Sequence, residues 1–195
     1  MKKIAVFASG GGSDFQSVID AVKSGYIHNC EIDILIAGKP DIYAIERAKA
    51  AGIDYRVYER GNYPCLDAMY EEITKLLKQR GVELIVLAGY LSILTPNIVK
   101  AYERRIINIH PSLIPKYSGA GYYGIKVHQA VIDNNESVSG ATVHYVDEGA
   151  DTGEIILQET VPVLKGDTAR TLQQRVLELE HKLLPQAVKE VLNKI

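Results

Sequence analysis

Cysteine is scarce in this chain, with only Cys30 and Cys65 in 195 residues. Two thiols that far apart form neither a disulfide framework nor a metal-ligand pattern, so each is expected to be a buried structural thiol and no metal is expected. An excess of either charge is also missing: 22 Lys and Arg against 24 Asp and Glu leave a net charge of −2. That balance gives no general attraction to nucleic acid or to an anionic membrane. No segment approaches the ~20 apolar residues of a membrane helix. The opening MKKIAVFAS places two lysines before an apolar run, but the run is short and stops at Gly10-Gly11-Gly12 without a cleavage pattern. Repeats and low-complexity tracts are absent too. What remains is an ordinary globular composition, 47% apolar and 24% charged, expected to form one cytoplasmic domain over residues 1–195.

Short β-rich runs alternate with segments of helical period. Ile4–Ala8, Ile32–Ala37, Tyr55–Tyr58, Leu84–Ala88 and Arg105–His110 read as strands. Between them, Phe15, Val18, Ile19 and Val22 recur at helical spacing, Ile42–Ala51 stops at Gly52, and Leu66–Gln79 aligns Met69, Ile73, Leu76 and Leu77. This alternation implies right-handed crossovers and a mostly parallel sheet, an α/β fold of three layers. After residue 137, Ser137–Val146 and Glu154–Val163 read as an antiparallel pair around the turn Asp147–Gly153. A long helix is expected from Asp167 to Ile195, with Leu172, Val176, Leu179 and Leu183 on its buried side and a kink at Pro185.

Ligands of parallel sheets sit at the carboxyl ends of the strands. The glycine turn Ser9–Ser13, the segment Gly89-Tyr90-Leu91-Ser92 and Asn108-Ile109-His110 all fall there. Asn108 and His110, two apart on a strand, project from one face. An amide donor beside an imidazole, with a carboxylate such as Asp151 brought back to raise the imidazole pKa, suits attack of a nucleophile on a carbonyl carbon. The glycine turn opens a helix, where free N–H groups favour an anion. It is neither a dinucleotide fingerprint, because Phe15 stands where a third glycine would, nor a P-loop. It is therefore a single-phosphate site or only a tight turn, with Ser13-Asp14-Phe15-Gln16 as a capping box. Asp14 is anomalous, a carboxylate where an anion would bind. His144 shares a strand face with Thr142 and is expected to pack or orient; His28 and His128 read as incidental.

Ser9–Gln16, Leu87–Tyr90, Asn108–Lys116, Thr142–Tyr145, the 147–153 turn and Glu180-His181 together resemble the phosphoribosylglycinamide formyltransferase family, in this order and over essentially the whole chain. The resemblance implies a Rossmann-like formyltransferase fold, with a phosphate-binding half at about 1–100 and a folate and catalytic half at about 101–195. It implies transfer of the formyl group of 10-formyltetrahydrofolate to the amine of glycinamide ribonucleotide in purine synthesis, through a tetrahedral intermediate. Asn108 would hold the formyl oxygen, His110 would move the proton and contribute imidazolium charge, and Asp151 would raise the His110 pKa and order a water. Gly12, Ser13 and Asp14 would hold the phosphate, and Glu180 the ribose hydroxyls. Leu91, Ser92, Ile93 and Leu94, together with Asn108, would line the folate site.

Three departures stand out. Relatives often carry Asn at position 14, so Asp14 implies a weaker grip or a side chain turned outward as a cap. Some carry Arg where Ser92 stands, which removes a charged contact to the folate tail. Ser118–Gly124 is longer than in some members, as a mobile lid or an ordered insertion. Formyltetrahydrofolate hydrolysis would use the same three residues, but that branch adds an N-terminal regulatory domain. The tRNA-formylating branch adds a C-terminal domain and needs a basic surface. A nucleotide sensor would need the glycine turn but not Asn108, His110 and Asp151 together. Oligomeric state is not legible.

Overall fold

The computed structural model describes all residues, 1–195. Seven strands form one sheet: β1 (Lys2–Ala8), β2 (Cys30–Ala37), β3 (Asp54–Val57), β4 (Val82–Leu87), β5 (Ile106–His110), β6 (Val138–Tyr145) and β7 (Ile155–Pro162), in the order β3-β2-β1-β4-β5-β6-β7. The first five run parallel; β6 is antiparallel to both β5 and β7. Six helices connect them: α1 (Ser13–Lys23), α2 (Tyr43–Ala51), α3 (Leu66–Arg80), α4 (Pro96–Ala101), α5 (Ile125–Asp133) and α6 (Ala169–Leu192). The expected α/β architecture, with its antiparallel end and long final helix, is therefore present. α4 and α5 are additional, and α6 runs through Pro185.

Burial on both sides of the sheet explains the near-continuous apolar strands. In β1, Ile4, Val6 and Ala8 belong to a core shared with α1, α2 and α6, whereas Ala5 and Phe7 belong to one shared with α3 and α4. Three layers result. β6 departs from simple in–out alternation, because Ser139, Thr142 and His144 are as buried as their apolar neighbours. The two cysteines split: Cys30 is buried, but Cys65 is exposed. Cys65 stands at the N-cap of α3, its sulfur accepting from the Ala68 amide at 3.5 Å, so the cap and not the core accounts for it. No helix is long and apolar enough to cross a membrane.

β1 is flanked by β2 on one side and by β4 on the other. The chain changes direction across the sheet there, and the crevice at such a switch point is where α/β sheets take ligands. The turn after β1 and the loop after β4 form its walls, joined by the Leu91 amide donating to Ser9 Oγ at 3.0 Å.

One glycine is fixed by packing at the antiparallel end. A Cβ on Gly140 would lie 2.1 Å from the Glu159 carbonyl oxygen and 2.6 Å from Leu113 Cδ2. Gly140→Ala must therefore push β7 away from β6 and displace the segment after His110. It is expected to cost about 2–3 kcal/mol, read as a lower urea midpoint; an unchanged midpoint would show that the strands separate freely.

Candidate active site

β5 ends with Asn108 and His110, and β6 lies antiparallel beside it with His144 opposite Asn108 and Thr142 opposite His110. Thr142 fixes the chain beyond His110: its hydroxyl donates to the Ser112 carbonyl at 2.6 Å and accepts from the Ile114 amide at 3.3 Å. Ser112 Oγ in turn donates to the Lys116 carbonyl at 2.7 Å. The residues after His110 thus fold back so that the Tyr117 carbonyl meets the imidazole.

Asp151 arrives from the turn between β6 and β7 in a left-handed conformation, φ 58°. Its Oδ2 lies 3.6 Å from His110 Nδ1 and accepts from the Gly119 amide at 2.9 Å. Its Oδ1 lies 3.5 Å from His144 Nε2 and 3.4 Å from Asn108 Nδ2. The geometry brings Asn108, His110 and Asp151 together. It also adds His144, whose Nε2 is 3.2 Å from Asn108 Nδ2 and whose Nδ1 donates to the Tyr145 carbonyl at 2.8 Å. The β5–β6 register sets His144 across from Asn108.

Protonation follows from these contacts. Only an N–H can meet a carbonyl oxygen, so His110 Nε2 is the donor in its 2.9 Å contact with Tyr117. The lone pair of the neutral ring then sits on Nδ1, facing Asp151. Burial is the largest influence on His110 and pushes its pKa below the ordinary value; Tyr117 and Asp151 pull upward without winning, and His144 opposes them. The carboxylate does raise this pKa, as the sequence suggested, but desolvation outweighs the charge and the net shift is downward. Burial likewise pushes Asp151 up, but hydrogen bonding from His144, the charge of His110 and the Gly119 amide hold it down at about 2. His128 is buried on α5, and burial together with the charge of His110 pushes it down to about 4.

At the other wall of the crevice, α1 begins at Gly12, which has φ 69°. A Cβ there would lie 2.8 Å from Ala44 Cβ, so packing of α2 requires this glycine, whereas Gly10 and Gly11 face open space. No side chain caps α1; the expected capping box is absent because the left-handed Gly12 occupies the cap and Ser13 is already helical. Asp14 does not turn outward. It is buried, with Oδ1 3.9 Å from His181 Nε2 and beside the buried Glu180 of α6. Arg47, which no local pattern singled out, donates from Nε to the Gly11 carbonyl at 2.9 Å and from Nη1 to Gln16 Oε1 at 3.0 Å. Ser13, Gln16, Ser17, Asp20, Arg47 and His181 enclose a groove of about 370 Å³ along α1.

The loop after β4 divides. Leu91 and Ile93 are 64% and 73% exposed, an apolar pair open to a ligand, but Leu94 is buried among α3 and α4 residues. The Leu94 side chain anchors the loop in the core. Ser92 borders a cleft of about 480 Å³ reaching Lys39 and Arg60. The Ser118–Gly124 segment holds its place through the Gly119–Asp151 bond and an edge-to-face contact of Tyr122 with Tyr117.

A half-buried amide, a buried imidazole and a half-buried carboxylate at the carboxyl end of β5 define a group-transfer enzyme, and the formyl transferase family profile matches residues 2–188. The chain belongs to that family. It is 40% identical over 192 residues to phosphoribosylglycinamide formyltransferase of Bacillus subtilis, covering 98% of this chain and 95% of that one. The chloroplastic enzyme of the same name from Vigna unguiculata is 42% identical over 96% of this chain, which spans only 60% of the plant protein's length. Among solved structures, phosphoribosylglycinamide formyltransferase of Bacillus halodurans superposes with a TM-score of 0.92 at 38% identity, covering 99% of this chain and 96% of that one.

Proposed function

We propose that this protein transfers the formyl group of 10-formyltetrahydrofolate to the amine of glycinamide ribonucleotide. The observation that carries the reading is the joining of Asn108, His110 and Asp151 at one point, 3.4–3.6 Å apart, beside a glycine turn that leaves open space at Gly10 and Gly11. The ribonucleotide phosphate would rest on the first amides of α1, near Ser13, with Glu180 toward the ribose. Leu91, Ser92 and Ile93 would flank the folate, the two exposed apolar side chains against its rings. Formyltetrahydrofolate is a co-substrate here, and both substrates are small molecules.

The chemistry then needs little else. An amide NH2 carries two hydrogens, so Asn108 can keep its 3.2 Å contact to His144 and turn the hydrogen of its longer 3.4 Å contact with Asp151 to the formyl oxygen as negative charge develops there. The substrate amine is itself the nucleophile. His110 accepts its proton at Nδ1, the free lone pair, and returns a proton to the folate nitrogen as the old C–N bond breaks. Asp151, ionised throughout, stabilises the imidazolium that exists between these events. No covalent enzyme intermediate is required.

A coupled absorbance assay with 10-formyltetrahydrofolate, run with and without glycinamide ribonucleotide, tests the reading. Folate turnover is expected only when the ribonucleotide is present. Turnover in its absence would replace the amine by water and make the protein a hydrolase; no turnover in either mixture would leave a binding protein.

A further inference from the structure

The α1 end of the crevice carries an arrangement that formyl transfer does not explain. Asp14 and Glu180 are 9% and 7% exposed. Asp14 Oδ1 has no hydrogen-bond partner, and neither does His181 Nε2, 3.9 Å away. The titratable and charged groups around Asp14 are Glu180 and His181 from α6 and Arg47 from α2; Asp20 lines the groove one turn further along α1, and Glu178 acts on His181. Arg47 makes no ion pair with either carboxylate; its guanidinium donates to the Gly11 carbonyl and Gln16. Buried like charges that repel one another do not readily both ionise.

We propose that the Asp14–Glu180 pair makes binding of a phosphorylated ribose at the α1 N-terminus proton-linked, with Asp14 taking up a proton as the phosphate dianion arrives. This rests on the reading that a phosphate occupies this end of the crevice. Burial pushes Asp14 up to about 6, and burial together with the Asp14 charge pushes Glu180 well above its ordinary value. At pH 7.5 the free Asp14 is therefore still largely ionised. A dianion at the helix N-terminus is a further like charge and raises Asp14 again. Once protonated, the Asp14 carboxyl changes from an acceptor into a donor that a phosphate or ribose oxygen can use.

The sign of the pH effect follows. A group whose pKa is higher in the complex binds a proton on association, so affinity falls as pH rises above the free value. One linked proton changes affinity by at most about tenfold per pH unit. Calorimetric titration with ribose 5-phosphate at pH 7.5, in two buffers of different ionisation enthalpy, counts that proton without needing the formyl donor. Uptake approaching one proton is expected for the native chain and close to none for Asp14→Asn, whose near-isosteric amide cannot titrate. The variant should also lose most of the weakening of binding between pH 6.5 and 8.5. Equal uptake in both proteins, no uptake in the native chain, or no binding of ribose 5-phosphate would overturn the proposal. Asp14-dependent uptake in a protein that transfers no formyl group would uphold it while removing the substrate assignment. If Asp14→Asn does not fold by circular dichroism, the proton count and pH series of the native chain still decide.

Discussion

Replacing His110 by Ala is expected to lower kcat by about a thousandfold while leaving KM for the folate within a few-fold. General acid–base catalysis by a positioned side chain contributes roughly 10²- to 10⁴-fold, and this imidazole is unusually well positioned. Its Nε2–H is held by the Tyr117 carbonyl at 2.9 Å, which leaves Nδ1 as the only nitrogen able to take a proton. Burial lowers the pKa of the ring, which favours the neutral, proton-accepting form. The alternative bases are poor. His144 commits Nδ1 to the Tyr145 carbonyl and has Nε2 against Asn108, while Asp151, held at about 2, is too weak a base to substitute. The Leu91–Ile93 loop proposed to flank the folate makes no hydrogen bond to either ring nitrogen, whose partners are Tyr117 and Asp151, hence the small effect on KM. Initial-rate kinetics separate the two constants, and a near-normal kcat would remove His110 from the chemistry.

The parts of the fold that periodicity encodes were legible beforehand. The five parallel strands, α1 to α3 and α6 announce themselves through apolar runs and helical spacing, because packing on both sheet faces demands those patterns. α4 and α5 were not visible. At six residues α4 offers less than two turns of pattern, and α5 buries only Val127, His128 and Val131, too few apolar positions to mark a face.

The site divides in the same way. Asn108, His110 and Asp151 were identifiable because motif and topology place them at one edge. His144 was undervalued because its role depends on the register of β5 against β6, which a single sequence does not state. Arg47 was missed outright; its link to Gly11 spans 36 positions and leaves no local trace. Protonation was the least legible property. Charge placement alone suggested an elevated His110, whereas depth of burial, a property of the whole fold, decides the direction.

Asp151→Asn carries the second large effect, and here size and pH shape are tied together. Asn tolerates the left-handed backbone at φ 58° better than most residues, and its carbonyl can still accept from Gly119. The substitution therefore removes charge with little disturbance of the turn. Without the carboxylate 3.6 Å from Nδ1, the imidazolium formed during transfer loses its counter-charge, and the plateau rate is expected to fall by about a hundredfold, roughly 2.7 kcal/mol of barrier. The working form of His110 is neutral, so activity declines as pH falls through its pKa. Asp151 pulls that pKa upward against burial; removing it lowers the pKa further and moves the acidic limb of kcat/KM to lower pH. A lower plateau that persists further into acid is thus the expected pair of results. If the plateau drops while the limb stays in place, Asp151 positions substrate or water without tuning the base. If neither changes, it serves only the turn.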